Sequence, residues 1–147
     1  MVKDISKLNS DLKNLIKVGD KVITAKFFEA GELIRGEAVR SIQNKEHGHN
    51  VTRYTASGNS YDHVSAPEGS APNTDRGSLV KSIRTKIRGD DVVVGSFEDA
   101  PHGLWLEVGN ERGQKWPWLK PAFNKMQPKI KRKIGEIGAA MFKKAMK

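Results

Sequence analysis

Apolar residues in the first third of the chain recur at three- and four-residue steps. Ile5, Leu8, Leu12 and Leu15/Ile16 mark one face of a helix over residues 4–17, with Asp4 placed to cap its start. Gly19 followed by Asp20 has the form of a C-terminal glycine and a fresh N-cap. That pair predicts a break or kink, closing an N-terminal helix of residues 1–18. A second helix is expected from Lys21 to Ile42, with Ile23, Phe27, Ala30, Ile34, Ala38 and Ile42 as its stripe and a span of roughly 33 Å. Gly31 and Gly36 each weaken it by about 1 kcal/mol relative to alanine. Either another element approaches closely there or the helix simply tolerates them.

From Gln43 to Gly77 the periodicity is lost, and Gly, Ser, Asn, Thr, His and Pro dominate. Val51-Thr52-Arg53-Tyr54 alternates weakly, which allows a hairpin around Asn50 to Tyr54. Otherwise residues 43–77 are expected to form a long flexible loop that orders against a neighbour. Alternation returns from Leu79 to Arg88, the pattern of a half-buried antiparallel strand. Gly89-Asp90-Asp91 turns the chain, and Val92-Val93-Val94-Gly95 is expected to pair back.

A short apolar stretch, Leu104 to Val108, closes at Gly109, and Asn110 to Lys115 is polar. Pro117 and Pro121 frame Trp118-Leu119 ahead of a last helix over residues 120–147. Pro128 is expected to kink or break that helix unless it opens it. Ile130, Ile134, Ile137, Met141 and Ala145 supply its buried stripe. The expected fold is a single α+β domain over residues 1–147. A small antiparallel sheet packs with a long N-terminal helix and a C-terminal helix, and carries a long loop or hairpin insertion.

Charge adds a feature that the apolar pattern lacks. The formal net charge is +9. Lys120, Lys125, Lys129, Lys131, Arg132, Lys133, Lys143, Lys144 and Lys147 stand against Glu136 alone, so most of the excess lies at the C-terminal end. Such an end attracts DNA, acidic protein surfaces or anionic membranes, or serves as a solvated helix face. Lys129, Lys131, Arg132, Lys133, Lys143 and Lys144 are the candidates for contact with DNA or an acidic partner. The tail has no interleaved aromatics for base stacking, so it supports sequence-independent, salt-sensitive phosphate contact at most.

With no cysteine, disulfides and thiolate metal sites are excluded. No run of about 18 apolar residues predicts a membrane span, and the start Met1 to Ile5 does not have the form of a signal peptide. These features read as a protein made in a bacterial-type cytoplasm, without a membrane partner. His47 and His49, with His63 and His102, lack the spacing and carboxylate support of a zinc site. No nucleophile elbow, paired-carboxylate pattern or phosphate loop is present. The sequence therefore predicts no enzyme, metal or cofactor. Glu107, the acidic residue inside the apolar stretch, is expected to cap a turn or pair with a basic neighbour. Trp105, Trp116 and Trp118 lie within fourteen residues of one another. At least one is expected in the core and one at a neighbouring molecule.

Three segments in order carry a resemblance. Ala71, Pro72, Asp75, Gly77, Leu79, Ser82 and Ile83 form the first, Leu106-Glu107-Val108-Gly109 the second, and Pro117-Trp118-Leu119-Lys120-Pro121-Ala122 the third. Together the chain resembles the tail-component, or tail-completion, family of HK-type lambdoid long-tailed phages and related prophages. In that family the segments resemble Ala-Pro-x-Asp-Thr-Gly-x-Leu-x-x-Ser-Ile, Glu-Phe-Gly and Pro-Phe-Leu-x-Pro-Ala. Here Arg76 replaces the usual threonine, one extra residue precedes Asp75, and Val108 and Trp118 replace phenylalanines.

The resemblance implies a virion protein without enzymatic activity, acting in tail completion and head–tail joining at the neck. It implies a ring around the DNA channel, sixfold by analogy with phage tails, between head-completion or connector proteins and tail-tube or terminator proteins. Asp75, Gly77, Leu79, Ile83, Trp105, Glu107, Gly109, Trp116, Pro117, Trp118, Leu119 and Pro121 become interface or structural residues. The alternatives are a tail terminator capping the tube, a small basic DNA-binding protein, and a toxin-like ribonuclease using His47, His49 or His102.

Overall fold

A computed structural model describes residues 2–44, 48–97 and 100–145. The chain runs α1 (Val2–Gln43), β1 (His49–Tyr54), β2 (Ser60–Ser65), α2 (Ser78–Ser82), β3 (Ile83–Arg88), β4 (Asp91–Ser96), α3 (His102–Val108) and α4 (Leu119–Ala145). The class is α+β, as expected. The strands form two separate antiparallel pairs, β1 with β2 and β3 with β4. The long helix α1 packs against both α4 and the β3–β4 hairpin.

α1 is one continuous helix through Gly19 and Asp20, so the expected break does not occur. A terminating glycine adopts positive φ, and Gly19 is not among the glycines that do. Gly31 has a structural reason to lack a side chain. A Cβ there would lie 2.7 Å from Thr85 Cγ2 and 3.0 Å from Val92 Cγ1, so the β3–β4 hairpin rests directly on the helix backbone. Gly36 is different: nothing lies within 4 Å of its would-be Cβ, and it is merely tolerated.

The strand expected from Leu79 begins four residues later. Gly77, at φ 78°, turns the chain into the short helix α2, and Lys81 N–H donates to its carbonyl at 2.9 Å. Leu79 and Ser82 are three residues apart and both buried, a helical relationship inside a stretch that also alternates. Ile83, extended at φ -74° and ψ 116°, starts β3. Pairing then runs from Ile83 opposite Ser96 to Arg88 opposite Asp91.

Residues 48–77 contain a hairpin, which the weak alternation allowed. β1 and β2 pair from His49 opposite Ser65 to Tyr54 opposite Ser60. β2 alternates, with Tyr61, His63 and Ser65 turned inward. The segment after it is tied to its own chain: Asn73 Nδ2 donates to Val64 O at 2.9 Å, Thr74 N–H to Ile42 O at 3.1 Å, and Gly69 N–H to Lys115 O at 2.9 Å. His47 lies outside the described residues.

The core gathers Ala38 and Ile42 from α1, Leu79 from α2, Ile83 from β3, Ala100, and Trp118 and Ala122 around the start of α4. Leu106 and Leu119 pack on its edge. Pro128 lies inside α4 without ending it. The missing N–H leaves the carbonyl of Asn124 without its helical donor, and both residues are exposed.

Candidate functional site

The short apolar stretch from Leu104 to Val108 belongs to α3, a helix of seven residues. Gly103 is buried, and Trp118 Nε1–H donates to its carbonyl at 2.9 Å. Trp118 itself is 2% exposed, which makes it a core residue. Glu107, on the last turn of α3, accepts from three backbone groups. Its Oε2 takes the N–H of Trp118 and of Leu119, each at 2.8 Å, and its Oε1 takes that of Lys120 at 2.9 Å.

A helix begins with four N–H groups that have no partner within it. For α4 they belong to residues 118–121. Glu107 satisfies three, and the fourth position, Pro121, has no N–H to satisfy. The carboxylate charge also lies at the positive end of the helix dipole. Glu107 is thus a helix-capping residue. Gly109, at φ 110°, returns the chain from α3, and its N–H donates to Trp105 O at 2.8 Å.

The three tryptophans have three different surroundings. Trp118 plugs the core. Trp116 is half-buried; its Nε1–H reaches Ala66 O at 2.9 Å, and its backbone N–H reaches Leu106 O at 2.8 Å, so it fastens the end of β2 to α3. Trp105 is 62% exposed, flanked by Leu104 at 63% and Val108 at 59%. These three share one face of α3 at helical spacing and form an apolar ridge, while Gly103 and Leu106 face inward. The largest exposed apolar patch on a protein surface is often functional.

A polar cluster surrounds Asp75. Its Oδ2 accepts from Arg53 Nη1 at 2.6 Å and from Tyr61 hydroxyl at 3.0 Å, and its Oδ1 lies 3.8 Å from His63 Nδ1. The Arg76 guanidinium sits 5.3 Å from the Tyr61 ring centre. Asp75 therefore clasps the β1–β2 hairpin to the segment leading into α2. Arg53, Tyr61 and His63 were not anticipated as its partners, although the alternation around Arg53 and Tyr54 marked the strand that brings Arg53 there. Leu79 and Ile83 are core residues, and Pro117 precedes the capped start of α4.

The basic residues of α4 divide into two groups. Lys133 Nζ lies 3.1 Å from Glu29 Oε2, which turns this candidate contact residue back onto α1. Lys125 likewise reaches Glu37 Oε1 at 2.6 Å. Lys129, Lys131, Arg132 and Lys143 are exposed, with Arg132 Nε 4.0 Å from Glu136. The side chain of Lys144 lies outside the described residues. Hydrogen bonds from Lys133 and then Lys26 hold the Glu29 carboxyl below its ordinary pKa. Burial pushes the Glu37 pKa upward, but Lys125 and Arg40 together outweigh it and leave the group lowered.

Among the described residues, no group of three or more His, Asp or Glu side chains is placed to hold a metal ion. No helix is long and apolar enough to cross a membrane, among the residues described. No family model, curated protein or solved structure matches the chain.

Proposed function

We propose that this chain is a structural virion protein of a tailed phage, acting in tail completion and head–tail joining at the neck, in a ring around the DNA channel. The observation that carries this reading is the α3 ridge. Leu104, Trp105 and Val108 stand in solvent on a helix whose other face is fastened to the core by Trp118 and Glu107. An exposed apolar ridge centred on a tryptophan supports contact with another protein surface. The sequence resemblance to tail-completion proteins specifies the kind of assembly. The protein works without catalysis or cofactor, is assembled in the bacterial cytoplasm, and meets head-completion or connector proteins on one side and tail-tube or terminator proteins on the other.

Lys129, Lys131, Arg132 and Lys143 favour a second reading, a small basic protein that binds DNA without sequence preference. Electron microscopy of lysates from a phage lacking this gene separates the readings. Filled heads beside normal-length free tails are expected for the joining role, and overlong tails would reassign the protein as a terminator. Intact infectious virions would remove the virion reading and leave the DNA-binding one.

A further inference from the structure

The α3 ridge has a counterpart elsewhere on the same chain. Between α1, the β3–β4 hairpin and α4 run two adjoining depressions of about 370 and 350 Å³. Ile34, Val92, Val94 and Phe123 line both, and Phe27 and Ile134 widen the second. Phe27, Phe123 and Ile134 are exposed, so this groove is apolar and open to solvent. We propose that copies of this chain join head to tail, the α3 ridge of one seated in the groove of the next. The proposal deepens the ring reading above by naming the surfaces that would close it.

Three observations favour another copy as the occupant. The chain cannot fill its own groove, because Glu107 on the inward side of α3 helps form the groove wall while Trp105 points to the opposite side. The hydrogen bonds from Trp118 to Gly103 and from the start of α4 to Glu107 hold α3 in that attitude. Charge is also matched. Asp90, Asp91 and Glu107 line the groove against Lys120 alone, whereas exposed Arg112 and Lys115, against Glu111, follow the ridge. A groove-to-groove pairing would set the acidic turn against itself, but ridge-to-groove pairing offers it cations. Two unlike patches on one chain make a heterologous interface, the kind that closes into rings.

The chain has no cysteine, so introduced thiols report the contact directly. Leu104→Cys protein and Phe123→Cys protein are treated with a flexible bismaleimide, separately and mixed, and the double variant is treated alone. The expected result is a covalent dimer in the mixture, little in either single variant, and a ladder of oligomers from the double variant. Adding Trp105→Asp to the double variant is expected to reduce the ladder at least tenfold while the circular dichroism spectrum is unchanged. No dimer in the mixture, equal cross-linking within a single variant, or a ladder indifferent to Trp105→Asp would overturn the interface. Failure here is distinct from failure of the neck role. Separated heads and tails without cross-links would remove only the interface, and cross-links alongside normal virions would leave it standing.

Discussion

Glu107 and Trp118 are eleven residues apart, yet the carboxylate of the first receives the backbone N–H of the second at 2.8 Å. That contact, with those to Leu119 and Lys120, makes the end of one helix the cap of the next. Replacing Glu107 with alanine is expected to destabilise the fold by about 2 kcal/mol, at the upper end for an N-cap because three donors lose their acceptor. Glu107→Gln, which keeps one acceptor oxygen, is expected to recover part of the loss. Urea unfolding of the three proteins checks both, and equal midpoints would remove the cap.

The tryptophans separate stability from association. Trp118→Ala is expected to cost roughly 3–5 kcal/mol, since it empties a core position. Trp105→Ala should change stability by no more than about 0.5 kcal/mol, as befits a surface substitution. Thermal denaturation of the two variants decides the matter, and a large loss at Trp105 would mean that the ridge belongs to the core.

Two glycines of α1 predict opposite signs for one substitution. Gly36→Ala is expected to stabilise by up to about 1 kcal/mol, because it gains helix propensity in open space. Gly31→Ala gains the same propensity, but its methyl group meets Thr85 and Val92; overpacking of about 1–3 kcal/mol leaves it neutral to destabilised. Stabilisation of equal size at both sites would show that the hairpin does not rest on the helix.

Glu37 gives the fold a dependence on acid. Burial works against its charge, Lys125 and Arg40 work for it, and its folded pKa lies below its ordinary value of 4.5. The stabilisation is therefore present above that ordinary value and is lost as pH falls through the folded one. Wild-type protein should lose more stability between pH 7 and pH 3 than Glu37→Gln does. Parallel urea midpoints for the two across that range would contradict the assignment.

The two long helices and the second hairpin were legible in the sequence because their apolar residues keep a single period. The stripe from Ile23 to Ile42 and the β-branched run at Val92 do so without ambiguity. Gly19-Asp20 misled because a glycine stop signal needs positive φ, which no residue type guarantees. α2 was hidden because Leu79 and Ser82 fit a helical turn while their neighbours alternate. The site was half legible. Glu107 could be read as a cap, but not what it caps, since Trp118 lies across an intervening loop. Nor could the sequence tell Trp105 from Trp118: Leu104 to Val108 is apolar on both faces of its helix, and only packing decides which face stays wet.

The ridge on α3 and the groove are two unlike surfaces, and their difference gives any assembly built from them a direction. A closed circle joined ridge to groove has no twofold axis lying in its plane. Its upper and lower rims are therefore chemically distinct, although every subunit is the same. Such a circle can meet two unlike neighbours, one above and one below, without a second gene product to tell top from bottom.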